Sequence, residues 1–348
     1  YIHPHWDQYR QVIDEAPGGF MIILGIYITI VAFIGTIGNM IVLWIFTTTP
    51  SLKTPSNMLA INLATCDLMF SAIIGFPMMA LACFKKYWIW GFVGCQWYAF
   101  VAGVSGLVSI NTLTAISIDR YMVIAKPLYM MQAASKSRSL QQIIFVWCYA
   151  IGWVLPPWFG WGAFMPEGFG FSCTWDYLTR TTNNISFNMC FVTFQFILPV
   201  SLVLICYVGI VNAVAQNRKE MGRMSKDTAN QTKQEIQIAK VVAVNVLFFI
   251  VTWLPYVTVA MLGVAGHSHL VTPYTTEIPV MLAKASGAWN PIIYALSHPR
   301  YRDALRKSKL PFRYLLGKPL KTEVSAANTR MSEMSSSGGS VRSGRRRD

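Results

Sequence analysis

The stretch from Val271 to Leu296 reads VTPYTTEIPVMLAKASGAWNPIIYAL, an apolar run with one lysine, Lys284, in its middle. At roughly 1.5 Å per residue, about a dozen residues from the outer end place Lys284 ~18 Å into a membrane helix. An ammonium at that depth costs about 2.5–3.5 kcal/mol on insertion scales, so an intramembrane lysine points to function by default. A lysine stem can reach back to an interface, but from mid-helix it is too short to do so easily. In its neutral form a lysine amine can condense with an aldehyde to form a Schiff base.

The rest of the chain fits a membrane setting. Of 348 residues, 54% are hydrophobic and only 13% charged, against about 25% charged in ordinary soluble domains. Mean hydropathy is +0.42. Seven apolar segments, 20–46, 57–82, 92–124, 142–162, 187–214, 238–265 and 272–297, are each near or above the ~20 residues that cross a bilayer. The expected fold is an all-α membrane protein, a seven-transmembrane helix bundle over 20–298. Residues 1–19 read as an extracellular segment, 299–310 as a short amphipathic eighth helix and 311–348 as a disordered cytoplasmic tail rich in Ser and Thr. Tyr1 is not an initiator methionine, which implies that the natural chain starts further upstream.

The net charge of +14 is unevenly spread. With the N-terminus outside, the outer pieces hold Arg10, Lys85, Lys86 and Arg180 against Asp7, Asp14, Glu15, Glu167, Asp176 and Glu277, so the basic excess falls on the cytoplasmic pieces. Topology and anionic lipid account for this charge without nucleic-acid binding. No metal site is expected.

Seven cysteines are present, most of them within helices, where a small buried hydrophobe is the ordinary role. Cys95 opens segment three at the outer face and Cys173 lies in the outer loop between segments four and five, so a disulfide pinning that loop over the bundle is expected. Asn184-Ile185-Ser186 is a glycosylation sequon on the same side.

Polar and helix-breaking residues recur inside the apolar segments: Asn39 in segment one, Asp67 in segment two, Pro199 in segment five, Trp253-Leu254-Pro255 in segment six, and Asn290-Pro291-Ile292-Ile293-Tyr294 in segment seven. Together they describe a polar core inside a bundle, where each finds partners that lipid lacks. Asp119-Arg120-Tyr121 closes segment three. With Gly38-Asn39 and Asn62-Leu63-Ala64, these pieces in this order resemble the rhodopsin-like G protein-coupled receptors across all seven helices. Lys284, six residues before Asn290 within Ala283-Lys284-Ala285-Ser286, narrows the resemblance to the opsins.

That resemblance implies 11-cis-retinal on Lys284 as a protonated Schiff base, converted by light to the all-trans form. Vertebrate visual opsins carry a neutralising glutamate three residues after the segment-three cysteine. Here Tyr98 holds that position and cannot serve as an anion near neutral pH. The remaining candidate counterion is Glu167, folded inward by the disulfide. Tyr98 with Glu167, Ile116 to Tyr121, and His298-Pro299-Arg300-Tyr301-Arg302 are similar to the rhabdomeric opsins of invertebrates and to the melanopsins. The expected retinal pocket is Trp253, Tyr256, Phe191, Phe196, Tyr177 and Trp175.

By the same resemblance, Trp253 is the switch beside the Pro255 kink, and Arg120 is held in the dark by Asp119 and Glu235. Tyr207 and Tyr294 would restabilise Arg120 in the active state. The implied partners are a heterotrimeric G protein of the Gq class, arrestin, a receptor kinase and the lipid bilayer, with the chain in the plasma membrane. A thermally stable, photoreversible product is expected too. No cysteine follows Cys206, so the eighth helix lacks a palmitoyl anchor and should hold to the membrane through Tyr301, Leu305 and its basic face.

Three rival classes fit less well. An amine receptor would place an aspartate seven residues after Cys95, where Ala102 stands. A retinal photoisomerase, the enzymatic alternative, tends to lose the coupling motifs that are intact here. A seven-helix ion pump shares the last-helix lysine but none of the motifs.

Overall fold

The computed structural model describes residues 3–133, 135–220 and 226–308. Its long helices are α1 (Gly18–Thr48), α2 (Asn57–Lys85), α3 (Gly91–Ala125), α4 (Lys136–Val154), α5 (Thr182–Val192 continuing through Leu198–Glu220) and α6 (Lys226–Ala265). The seventh apolar segment forms α7 in two halves, Pro273–Lys284 and Ser286–Ser297, and α8 (Pro299–Lys307) follows. Among the described residues, six helices are individually long and apolar enough to cross a membrane; the two 12-residue halves of α7 are not among them. Ile23, Phe33, Phe145, Ile205 and Leu247 point outward, 62% to 67% exposed, an apolar girdle suited to lipid and not to water.

Helix boundaries follow local chemistry. Pro17 precedes α1, and the chain leaves it through extended Thr49 and Pro50. The Ser135 hydroxyl caps α4, which stops before Pro156-Pro157. The apolar run to 162 had suggested a later end, but prolines cannot continue a helix ladder. Prolines also explain the irregular turns. Pro77 and Pro199 leave the carbonyls of Ile73 and Gln195 without their usual donor, and π turns occupy Phe70–Ile74 and Thr193–Ile197. In α7, Pro291 frees the Gly287 carbonyl, and Asn39 of α1 donates to it at 3.2 Å. A Cβ on Gly38 would come within 2.8 Å of Pro291, so a glycine there lets the two helices meet.

Between α4 and α5 a hairpin, β1 (Phe164–Glu167) and β2 (Ser172–Trp175), lies over the bundle core, with Glu167 opposite Ser172. A Cys95–Cys173 disulfide ties β2 to the start of α3, as expected. The N-terminal segment is folded onto this end. Trp6 is buried and donates to the Pro166 carbonyl at 3.0 Å, and His5 contacts the Val271 carbonyl at 2.8 Å.

The Asn184 side chain is buried, with its amide nitrogen donating to the Asp176 and Thr179 carbonyls at 2.6 and 2.9 Å, which holds the turn before α5. The α8 side chain Tyr301 is buried too and stacks on Phe46 of α1 at 5.8 Å, and Leu305 is also buried. These two residues face protein where lipid had been expected. Both lie within the compact unit Tyr1–Leu305. The tail from 309 lies outside the described residues.

Candidate functional site: a lysine at the head of an apolar cavity

Lys284 closes the first half of α7, where the unpaired carbonyls of a helix C-terminus favour a cation. Its Nζ donates to the Tyr98 hydroxyl at 3.0 Å, lies 3.6 Å from the Met79 sulfur and sits 5.1 Å from the centre of the Tyr98 ring. Among the described residues no carboxylate comes within 4.0 Å of it.

From Lys284 a largely apolar cavity runs between α3, α5, α6 and the hairpin, lined by Ala99, Gly106, Thr174, Trp175, Phe191, Phe196, Trp253, Tyr256 and Glu167 among others. Five of the six expected pocket residues line it. Tyr177 is the exception: it stands behind the wall and donates to Glu167 at 3.0 Å. Trp253 donates to Ser286 at 3.1 Å, just past the α7 break, and stacks on Phe249 at 5.4 Å. A Cβ at Gly106 would meet its ring at 3.1 Å, so that glycine makes room for the indole.

Glu167 is buried at the hairpin turn, accepting from Tyr177 and, at 3.4 Å, from Ser172. Burial pushes its carboxyl above the ordinary carboxylate value. The Lys284 charge and the hydroxyls of Tyr256, Tyr177 and Ser172 pull the other way.

Sequence reasoning missed a second buried acid. Glu277 had been counted with the outer loop, yet it is fully buried on α7, with no side-chain donor on either carboxylate oxygen and only the Phe169 backbone N–H nearby. The signal was available, since residues seven apart share a helix face and Lys284 stands seven after it.

At the bundle end away from the hairpin, Arg120 donates to Asp119 at 2.6 Å and to Glu235 at 2.7 Å. Arg300 of α8 also lies 3.6 Å from Glu235, a partner the sequence did not suggest. Glu235 is therefore clamped between two guanidinium groups and is not a free surface acid. Tyr121 flanks this cluster and packs where a Cβ on Gly209 would fall. Tyr207 donates to the Ala239 carbonyl at 3.0 Å, and Tyr294 packs among Phe46, His298 and Tyr301, so neither holds Arg120 here. In mid-bundle, Asp67 accepts from Asn290 at 2.7 Å and Ser109 at 3.0 Å. Asn39 serves the Gly287 carbonyl instead of Asp67.

The chain's likenesses agree with this geometry. The family described as 7 transmembrane receptor (rhodopsin family) matches residues 38–294. The chain is 41% identical over 326 residues to a Gq-coupled rhodopsin of Mizuhopecten yessoensis, covering 91% of this chain and 64% of that one. It is 42% identical over 312 residues to a rhodopsin of Loligo forbesii, covering 87% and 68%. To a melanopsin of Phodopus sungorus it is 39% identical over 308 residues, covering 87% and 66%. It thus spans about two thirds of the length of these relatives. The crystal structure of squid rhodopsin superposes with a TM-score of 0.85 at 38% identity, covering 96% of this chain and 95% of that one. The chain therefore belongs to the rhodopsin family of seven-transmembrane receptors, not to an enzyme family.

Proposed function

We propose that this receptor is a light-activated opsin that binds 11-cis-retinal through Lys284 and couples to a Gq-class G protein. The observation that carries the reading is a single lysine amine at the head of an elongated, largely apolar cavity with Trp253 on its wall. The residues suit the group: an amine for an aldehyde, aromatic walls for a polyene, and a buried carboxylate for the resulting cation. Retinal held there would supply the photochemistry, and Lys284 would carry it as a Schiff base nitrogen.

The chain's own residues do the rest. Tyr98 and Met79 orient the lysine nitrogen. Glu167 supplies negative charge from the hairpin, relayed through Ser172 or Tyr177. Trp253 converts a change of cavity shape into motion, because its indole bridges α6 to Ser286 and Pro255 weakens the α6 ladder two residues on. An outward swing of α6 pulls Glu235 from Arg120 and frees Tyr207 and Tyr294 to meet that arginine. The opened crevice takes the G protein, with the N-terminus extracellular and Arg120 at the cytoplasmic face of the plasma membrane. Arrestin and receptor kinase are carried over from the family, as is a photoreversible all-trans state.

The test is spectroscopic. Purified protein incubated in darkness with 11-cis-retinal should develop a visible band that illumination shifts and a second colour of light restores. No visible band at any pH would overturn the reading.

A further inference from the structure

The hairpin turn brings a second acid to the lysine. Glu277 and Lys284 share one face of the first half of α7, two turns or about 10.5 Å apart along the axis. Helical side chains lean toward the N-terminus, so the lysine stem leans toward Glu277. From above, the turn Glu167-Gly168-Phe169-Gly170 closes over the same carboxylate, with Gly170 donating to the Glu167 carbonyl at 2.8 Å. Gly168 has a φ of +55°, and a Cβ there would lie 2.9 Å from Glu277 Oε2. The residue beside Glu167 therefore touches Glu277, and glycine is required for both backbone and space.

Charge balance sets what this arrangement can be. The charged and titratable groups facing Glu277 are Lys284 on its own helix, Glu167 on the hairpin, Tyr98 on α3 and Cys83 on α2. One cation stands against two acids, each no more than 1% exposed. Two like charges sharing a desolvated site cannot both persist, and one keeps its proton. Glu167 accepts from two side-chain hydroxyls, which favours its ionised form, whereas Glu277 has no side-chain donor and only the Phe169 backbone N–H near it.

We propose that Glu277 is the second carboxylate of the lysine site, sharing one proton with Glu167 so that the pair presents a single negative charge to the Lys284 nitrogen, Glu277 holding the proton at rest. When Glu167 is neutralised the proton leaves Glu277 for solvent and the charge passes to it. The retinal role rests on the opsin reading above; the acid pair does not, since the free lysine poses the same balance.

Two measurements test it. Infrared spectra of the retinal-free protein should show a protonated carboxyl band that is lost in Glu277→Gln and kept in Lys284-containing controls such as Glu235→Gln. A parent spectrum unchanged by Glu277→Gln overturns the acid pair whether or not retinal binds. In the reconstituted pigment, Glu167→Gln should keep a visible band at neutral pH, titrating lower than the parent, and the double variant Glu167→Gln/Glu277→Gln should lose that band at neutral pH. A double variant that titrates like Glu167→Gln overturns the transfer of charge. A parent that forms no pigment strikes the opsin reading and leaves the infrared result to decide the pair.

Discussion

The Lys284 ammonium meets the Tyr98 hydroxyl at 3.0 Å and the face of the same ring at 5.1 Å. A neutral phenol thus takes the near contact and carboxylate charge stays beyond 4.0 Å among the described residues. A hydroxyl that accepts from the nitrogen orients it without fixing its charge, so the charge is set by acids at longer range. The Coulomb energy of such a pair depends on how well water is excluded, and the hairpin that covers this end is held by the Cys95–Cys173 disulfide and by Trp6.

Lys284→Ala should abolish covalent retinal attachment. Among the described residues no other lysine borders the cavity. Protein incubated with 11-cis-retinal and denatured in acid should give the band of a protonated Schiff base in the parent and none in the variant. An undiminished band in the variant would place the attachment elsewhere.

Glu235→Gln should raise coupling in darkness. It removes charge-assisted contacts of the kind worth about 1.5–3 kcal/mol, here to Arg120 at 2.7 Å and Arg300 at 3.6 Å. Nucleotide exchange on a Gq-class protein, measured without light, should rise severalfold. Basal exchange equal to the parent's would mean that the clamp does not hold α6.

The fold and much of the site were legible because membrane segments declare themselves by length and because the polar residues inside them have few alternative uses. Arg120 meets Asp119 and Glu235, the contacts that the resemblance implied. Glu277 was misread because a position four residues into a helix looks like loop when only hydropathy is consulted; its burial depends on the hairpin folding back over it. The Asn184 sequon is a local pattern, whereas the amide's partners at Asp176 and Thr179 arise from the turn before α5. Tyr177 was placed on the wrong side of the cavity wall because ring spacing alone does not tell a wall from its buttress.

Asn184→Ala should destabilise the outer loop without changing the protein's mobility on a gel. Its Nδ2 serves two carbonyls in a buried site, and leaving such groups unpaired costs about 1–3 kcal/mol. A lower Tm with unchanged mobility is expected. A glycosidase-sensitive mobility shift in the parent that the variant lacks would show that the amide reaches solvent.

The retinal-free protein should lose stability as pH rises from the ordinary carboxylate range, in part through Glu167. Burial holds its carboxyl above the usual value, so between the unfolded and folded values the native state binds more protons than the unfolded chain. Stability then falls with rising pH through that interval and is fully favoured below it. Glu167→Gln removes this contribution and should flatten the fall in Tm. Parallel Tm curves for parent and variant would mean that burial puts no load on this acid.

The last prediction concerns the pigment, where Glu167 acts on the nitrogen without touching it. An opposite charge nearby favours the protonated Schiff base, so Glu167→Gln should lower its apparent pKa in at least one of the dark and illuminated states. Ser172 and Tyr177 tie the carboxylate to the hairpin and not to Lys284, so its influence depends on how the nitrogen is aimed. In the proposed pigment illumination would re-aim that nitrogen, while the Cys95–Cys173 disulfide pins the hairpin. The shift should therefore differ between the two states and be larger after illumination, as the nitrogen leaves the Tyr98 hydroxyl and exchanges a neutral partner for a charged one. Titration of the visible band before and after illumination measures both values in one sample. Coincident curves for parent and variant in both states would remove Glu167 from the mechanism and leave the balancing charge to another acid.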